Sequence, residues 1–271
     1  MSTFIFNTGA DGMPLTRPAA ETLTNVAYGK DPMQSMDIFL PADRSAEKTK
    51  SLILLHGGGW NSGSRHSLAS QIDSFKRRMP GYAIFNIDYR LVKTNTPFST
   101  QENDVKAAVD FITAHAGTYK INPGSFVLLG VSAGAHLALL QAYKNTAPKI
   151  AAVIDFFGPT DLTGMYNKPW NPMIPYLLES LIGGTPQTNT AAYYNASAIN
   201  FIDVSTPPTL VFHGKRDNIV NLSQSQLLYQ KLQQAGVPAK MVLYDAGHGW
   251  YGDILADSFD KIKSFLEKYL P

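Results

Sequence analysis

Eight short, largely apolar runs are spaced along the 271-residue chain, and they limit its fold more than any other feature. They are Thr24–Tyr28, Ser35–Leu40, Ser51–Leu55, Tyr82–Ile87, Phe126–Leu129, Ala151–Phe156, Thr209–Phe212 and Lys240–Tyr244. Leu52-Ile53-Leu54-Leu55 offers no polar side chain to either side of a pleat. A strand of that kind is buried on both faces, which requires a sheet covered by helices. Between the later runs the apolar spacing changes to that of a helix. Val105, Val109 and Ile112 share a face near Gln101–His115. Leu228, Leu232 and Ala235 do so before the stop signal Gly236-Val237-Pro238, and Leu255, Phe259, Ile262 and Leu266 predict a closing helix. Strand and helix alternate, so the expected fold is α/β, with a mostly parallel sheet of about eight strands and right-handed crossovers. The chain 1–271 reads as one domain. Thr160–Pro208, with prolines at 169, 172, 175, 186, 207 and 208, breaks the rhythm. It is expected to be an insertion with one short helix around Pro172–Ile182, either a cap over a site or a surface excursion.

Composition removes several function classes. With no cysteine, disulfides, thiolate metal sites and cysteine nucleophiles are excluded. No His-Glu-x-x-His run or paired-histidine helix spacing is present, so no metal is expected. A net charge of +2, from 23 basic and 21 acidic residues that are scattered, does not predict nucleic-acid or anionic-membrane partners. Arg77 and Arg78 fit the solvated face of an amphipathic helix. Met1–Ala10 has no Lys or Arg and no apolar run of signal-peptide length, which with the missing cysteines fits the cytoplasm. The apolar stretch Phe126–Tyr143 is interrupted by Ser132, His136 and two glycines and is shorter than the ~20 residues a membrane span needs. It reads as strand, turn and helix.

That turn is Gly130-Val131-Ser132-Ala133-Gly134. A serine that attacks a carbonyl must stand clear of the backbone at a sharp strand-to-helix turn, and the close approach of neighbouring chain then demands glycine on both sides. The helix N-terminus behind it favours developing negative charge. A dinucleotide turn would need glycines where Ser132 and Ala135 stand, and no phosphate-loop lysine follows, so no nucleotide cofactor is expected.

A second glycine cluster, His56-Gly57-Gly58-Gly59-Trp60, directly follows the run Ser51–Leu55. Adjacent glycines free backbone N–H groups to face a bound atom. Gly58, Gly59 and Ala133 are the expected donors to an oxyanion, and losing one such donor typically costs ~3–4 kcal/mol. His56 precedes the donors and reads as a brace. A serine hydroxyl needs a base. Of the six histidines, His248 lies in the flexible loop Asp245-Ala246-Gly247-His248-Gly249-Trp250 after the last strand, whereas His213 ends a strand and fits a turn brace. Asp217, in the loop after the preceding strand, is the expected acid that orients His248; Asp245 and Asp161 are its competitors. Trp60, Trp170 and Tyr176 are candidates to line a substrate pocket, with plain packing as the alternative.

Together, His56–Trp60, Asp88-Tyr89-Arg90-Leu91, Gly130–Gly134, Pro208–Val220 and Gly247-His248-Gly249 resemble the carboxylesterases of the hormone-sensitive-lipase-like group. The small bacterial esterases and the acetyl-xylan or feruloyl-type members are nearest in style. The resemblance covers roughly Ser35–Leu266 and implies an α/β-hydrolase fold. It also implies serine ester hydrolysis without a cofactor, acting on small-molecule esters. Arylformamidases use the same apparatus on a formamide and are the alternative. A non-catalytic binding protein on this fold is a third possibility, though such proteins usually lack a triad member.

Overall fold

The computed structural model describes residues 17–93 and 97–270. The expectation about Met1–Ala10 lies outside the described residues. Each of the eight apolar runs is a strand: β1 (Glu21–Ala27), β2 (Ser35–Leu40), β3 (Lys50–Leu55), β4 (Tyr82–Ile87), β5 (Phe126–Val131), β6 (Ala152–Phe156), β7 (Thr209–Gly214) and β8 (Ala239–Tyr244). They form one sheet in the order β1-β2-β4-β3-β5-β6-β7-β8. From β4 to β8 neighbours run parallel, while β1–β2 and β2–β4 are antiparallel. The β1–β2 pairing slips between Leu23 and Val26, where Asn25 adopts φ 55°.

Helices α1 (Ala69–Arg78), α2 (Ser99–Ala114), α3 (Ala116–Tyr119), α4 (Ala133–Lys144), α5 (Leu162–Asn167), α6 (Ile174–Ile182), α7 (Thr190–Asn195), α8 (Ser223–Gln234) and α9 (Gly252–Tyr269) cover the sheet. The pleat sorts each strand's side chains between two cores. Ile53 and Leu55 pack on one face with residues of α2, α4, α6 and α8, and Leu52 and Leu54 pack on the other with α1 and α9. Each such fully buried side chain contributes about 1.5–3 kcal/mol.

The crossovers leaving β3 and β5 diverge. The chain from β3 passes through α1 to β4, and the chain from β5 passes through α4 to β6 on the other side. A crevice opens beyond the carboxyl ends of adjacent strands at such a switch point. The loop after β3 and the turn after β5 both end there, because Leu55 pairs with Gly130.

Segment 160–208 holds three helices, α5, α6 and α7, and a short 3-10 turn (Ala198–Phe201), where one helix was expected. Asp161 caps α5, its Oδ1 accepting the Gly164 N–H at 2.9 Å. The segment is tied down at several points. The Gln224 side chain accepts the Thr160 N–H at 2.8 Å, and Lys144 Nζ donates to Asn195 O at 3.0 Å. Among the described residues, no helix is long and apolar enough to cross a membrane.

Candidate active site

Ser132 sits between β5 and α4 at φ 55°, a conformation that side chains other than glycine rarely adopt. Surrounding contacts fix it: its N–H donates to Phe156 O at 2.8 Å, and its own carbonyl accepts the His136 N–H at 3.1 Å. The flanking glycines are required by close approach. A Cβ on Gly134 would come under 3.0 Å from the backbone oxygens of Leu55 and His56, and one on Gly130 would meet the backbone of Gly134 and Ala135.

The candidate base, His248, and the candidate acid, Asp217, arrive on the loops after β8 and β7. These loops are joined, since the Arg216 N–H donates to Ala246 O at 2.9 Å and the Lys215 N–H to Tyr244 O at 2.8 Å. His248 Nε2 lies 2.9 Å from Ser132 Oγ, and His248 Nδ1 lies 2.7 Å from Asp217 Oδ2. With Nδ1 protonated toward the carboxylate, Nε2 is free to accept the serine proton. Phe157, following β6, supports the imidazole with ring centroids 4.5 Å apart. Burial by itself raises the Asp217 carboxyl pKa, but hydrogen bonds from His248 and the N–H groups of Val220 and Ile219 hold it below the usual carboxylate range. Those two N–H groups reach Oδ1 at 2.9 and 2.8 Å.

The competing residues lie elsewhere. Asp245 is largely exposed and faces Arg216 at 3.3 Å, and Asp161 is spent on α5. His213 is wholly buried, where burial lowers its pKa; it contacts Ser225 Oγ at 2.7 Å and Val220 O at 2.9 Å, and so braces the loop that carries Asp217. His56 is buried, which lowers its pKa in the same way; it stacks on Tyr89 at 4.3 Å and holds the start of the glycine loop.

In that loop Gly58 and Gly59 take φ +124° and +57°. Among the described residues, the N–H groups of Gly58, Gly59 and Ala133 donate to no protein acceptor. They border a cavity of about 520 Å³ that Ser132 and His248 also line. Among the described residues, no Asp, Glu, Lys or Arg lines it; its walls are mostly aliphatic and aromatic.

Trp60 lines this cavity, but Trp170 and Tyr176 do not. Segment 160–208 contributes Met165, Ile174 and Leu177 instead. The reason is helical phase: α6 turns Ile174 and Leu177 to the cavity, which leaves Tyr176 67% exposed, while Trp170 packs against the core beside α5. Sequence reasoning missed Phe157 and Trp250, and Leu68 at the end of the 3-10 turn before α1 with Gln71 and Phe75 on α1. The helical spacing of the last three was visible, but its direction was not.

The BD-FAE family model matches residues 36–232. A probable carboxylic ester hydrolase, LipM, of Mycobacterium tuberculosis is 28% identical over 78% of this chain and 51% of its own length. The chain spans about half the length of the curated relatives it matches, as it also does for Esterase LipC (59%). An esterase from Thermogutta terrifontis, solved with propionate bound, superposes with a TM-score of 0.74 at 26% identity, covering 94% of this chain and 97% of that one. The same organism's esterase 2, phosphonylated by sarin, gives 0.76 at 25% identity, covering 95% and 99%. A family model that matches most of the chain, on a sheet of this order with a serine at the strand–helix turn, places it: the chain belongs to the BD-FAE family and is an α/β-hydrolase of the hormone-sensitive-lipase-like group.

Proposed function

We propose that this chain is a serine carboxylesterase that hydrolyses short-chain carboxylic esters, with Ser132 as nucleophile, His248 as base and Asp217 as the residue that orients the base. The single observation that carries this is the unbroken relay from Asp217 through His248 to Ser132 at 2.7 and 2.9 Å, opening on an apolar cavity. Ser132 Oγ attacks the ester carbonyl and His248 Nε2 takes its proton. Gly58, Gly59 and Ala133 N–H groups hold the tetrahedral oxyanion. His248 returns the proton to the departing alkoxide, so the alcohol leaves and an acyl group remains on Ser132. His248 then deprotonates a water, which attacks the acyl carbon, and the carboxylic acid and free serine result. Asp217 keeps the imidazole in the accepting tautomer and stabilises its charged form.

Neutral walls favour an uncharged ester. The bound propionate of the Thermogutta terrifontis relative supports a small acyl group. Segment 160–208, rich in proline and pinned by hydrogen bonds, fits a fixed wall better than a mobile lid. Rates on nitrophenyl acetate, butyrate, octanoate and palmitate, with N-formylkynurenine alongside, test this. Acetate or butyrate is expected to turn over fastest. Fastest turnover of palmitate, a jump in rate above the substrate's solubility limit, or preference for the formamide would each overturn it.

A further inference from the structure

His136 is buried, lies outside the cavity lining, and has no part in the chemistry above. It nevertheless touches three parts of the site. Its backbone N–H donates to the carbonyl of Ser132 at 3.1 Å, the first hydrogen bond of α4. Its Nδ1 faces the indole Nε1 of Trp60 at 3.1 Å, and its Nε2 faces Ala196 O, at the end of α7, at 2.7 Å. Both ring partners have only one possible role. An indole N–H can only donate and a carbonyl can only accept, so Nδ1 is the bare acceptor and Nε2 carries the proton. Trp60 stands edge-on to the imidazole and Phe98 stacks on it at 5.4 Å, which leaves the ring no room to flip. Burial lowers the imidazole pKa to about 4, so the neutral form persists through the neutral range.

Trp60 itself is unusual. It follows Gly59 directly, is 3% exposed, and holds φ 63°, a conformation that is costly for a bulky side chain and persists only where the surroundings fix it. Two bonds fix it: its carbonyl accepts the Val92 N–H at 2.8 Å, and its indole donates to His136. The start of the same loop is held at His56, whose carbonyl accepts the Tyr89 hydroxyl at 2.7 Å. Gly58 and Gly59 are therefore strung between two anchors, and the far anchor ends on the helix that begins beside Ser132.

We infer that His136 is a positioning residue for the oxyanion hole: through the Trp60 indole it sets the Gly58 and Gly59 N–H groups at a fixed place relative to Ser132. This rests on the esterase function proposed above. The bond to Ala196 adds the wall segment to the same pin, so that nucleophile turn, donor loop and pocket wall keep one relative arrangement.

His136→Asn and His136→Gln separate this role from a structural one. An asparagine carbonyl stands where Nδ1 was and keeps an acceptor for Trp60. A glutamine amide nitrogen stands where Nε2 was, keeping the donor to Ala196 and losing the acceptor for Trp60. Each variant is titrated with a fluorophosphonate so that kcat is expressed per reactive serine. KM and inhibition by a phenylboronic acid, whose tetrahedral adduct needs the oxyanion donors, are measured alongside. Because removal of one donor costs about 10²–10³-fold in kcat, a displaced loop is expected to lower kcat per site about 10-fold or more in His136→Gln. Boronate affinity should weaken by a similar factor and KM should change little, while His136→Asn, which keeps the acceptor for Trp60, loses several-fold less than His136→Gln. In a Trp60→Phe background, His136→Gln should add less than about a further twofold, since the coupled pair is already broken. If His136→Gln fails to fold, Trp60→Phe alone must show the parallel loss in kcat and boronate affinity. Equal losses in His136→Asn and His136→Gln, or per-site kcat and boronate inhibition unchanged in both, would overturn the role. If instead the unaltered protein neither hydrolyses esters nor takes the fluorophosphonate, the esterase function itself fails, an outcome read from the wild type alone.

Discussion

Replacing Asp217 with asparagine changes one oxygen to an NH2 group, and the structure dictates where the damage falls. Oδ1 of Asp217 accepts two backbone N–H groups, from Ile219 and Val220. The asparagine carbonyl takes over both, so the loop keeps its shape. The new amide nitrogen must then occupy the place of Oδ2, 2.7 Å from His248 Nδ1. Two donors cannot face one another there. The imidazole proton moves to Nε2, the atom 2.9 Å from Ser132 Oγ, and the base can no longer accept the serine proton. In another triad hydrolase this tautomer error costs about 10⁴-fold in kcat, or about 5 kcal/mol at 1.36 kcal/mol per decade. Asp245→Asn is the internal control. That side chain is 74% exposed and, among the described residues, pairs with Arg216 alone, so it should lose less than about twofold, as surface pairs contribute little. The assay is kcat on nitrophenyl butyrate at neutral pH for both variants, with the folded fraction followed by circular dichroism. Retention of a tenth of wild-type kcat by Asp217→Asn, or a larger loss in Asp245→Asn, would refute the assignment.

Three further outcomes are expected. Ser132→Ala should lower turnover about 10⁴-fold or more with the melting temperature close to wild type, and a tenth of wild-type activity in the purified variant would remove Ser132 as nucleophile. Gly134→Ala places a methyl group against the backbone oxygens of Leu55 and His56, which the β3 ladder holds in place, so a loss of about 1–3 kcal/mol in denaturant unfolding is expected; an unchanged midpoint would contradict the close approach. Asp155 is wholly buried; its Oδ1 accepts the Gly158 N–H, its Oδ2 has no partner among the described residues, and burial pushes its pKa up to about 7. Between the ordinary Asp value near 3.9 and about 7, the unfolded chain ionises while the folded one keeps the proton, so this group makes stability fall with rising pH by at most about 1.4 kcal/mol per unit. Asp155→Asn should flatten melting temperature against pH over that window, and parallel curves for the two proteins would show that the carboxyl does not hold its proton.

The sheet was legible because burial on both faces leaves few polar residues in its central strands. Lys50–Leu55 and Tyr82–Ile87 therefore read almost to the residue. The first strand was placed at Thr24–Tyr28 and lies at Glu21–Ala27, since a strand with most of its side chains exposed carries little apolar signal. The relay residues were legible because each sits in a loop just past a strand, where the chemistry dictates residue type. The pocket walls were not. Trp170 and Tyr176 were chosen for their aromatic character, yet what decides is which way α6 is turned about its axis, and that follows from packing Leu178 and Leu181 into the core. The six-residue helices α5 and α7 are too short to set up a periodicity. Asp161, three residues before Gly164, was the one local sign of α5.

The slip in the β1–β2 pairing at Asn25 bears on self-association. An outermost strand normally displays an uninterrupted row of free N–H and C=O groups, on which another molecule can add a strand of its own. Asn25 breaks that row at φ 55°, its N–H turned inward to Asp37 Oδ1 at 2.9 Å and its side-chain oxygen held by Arg65. The strand's outer margin is cut into two lengths of no more than three or four residues with a twist between them, each too short to template a stable ladder. At this margin, resistance to edge-to-edge aggregation is built into the backbone by a single asparagine.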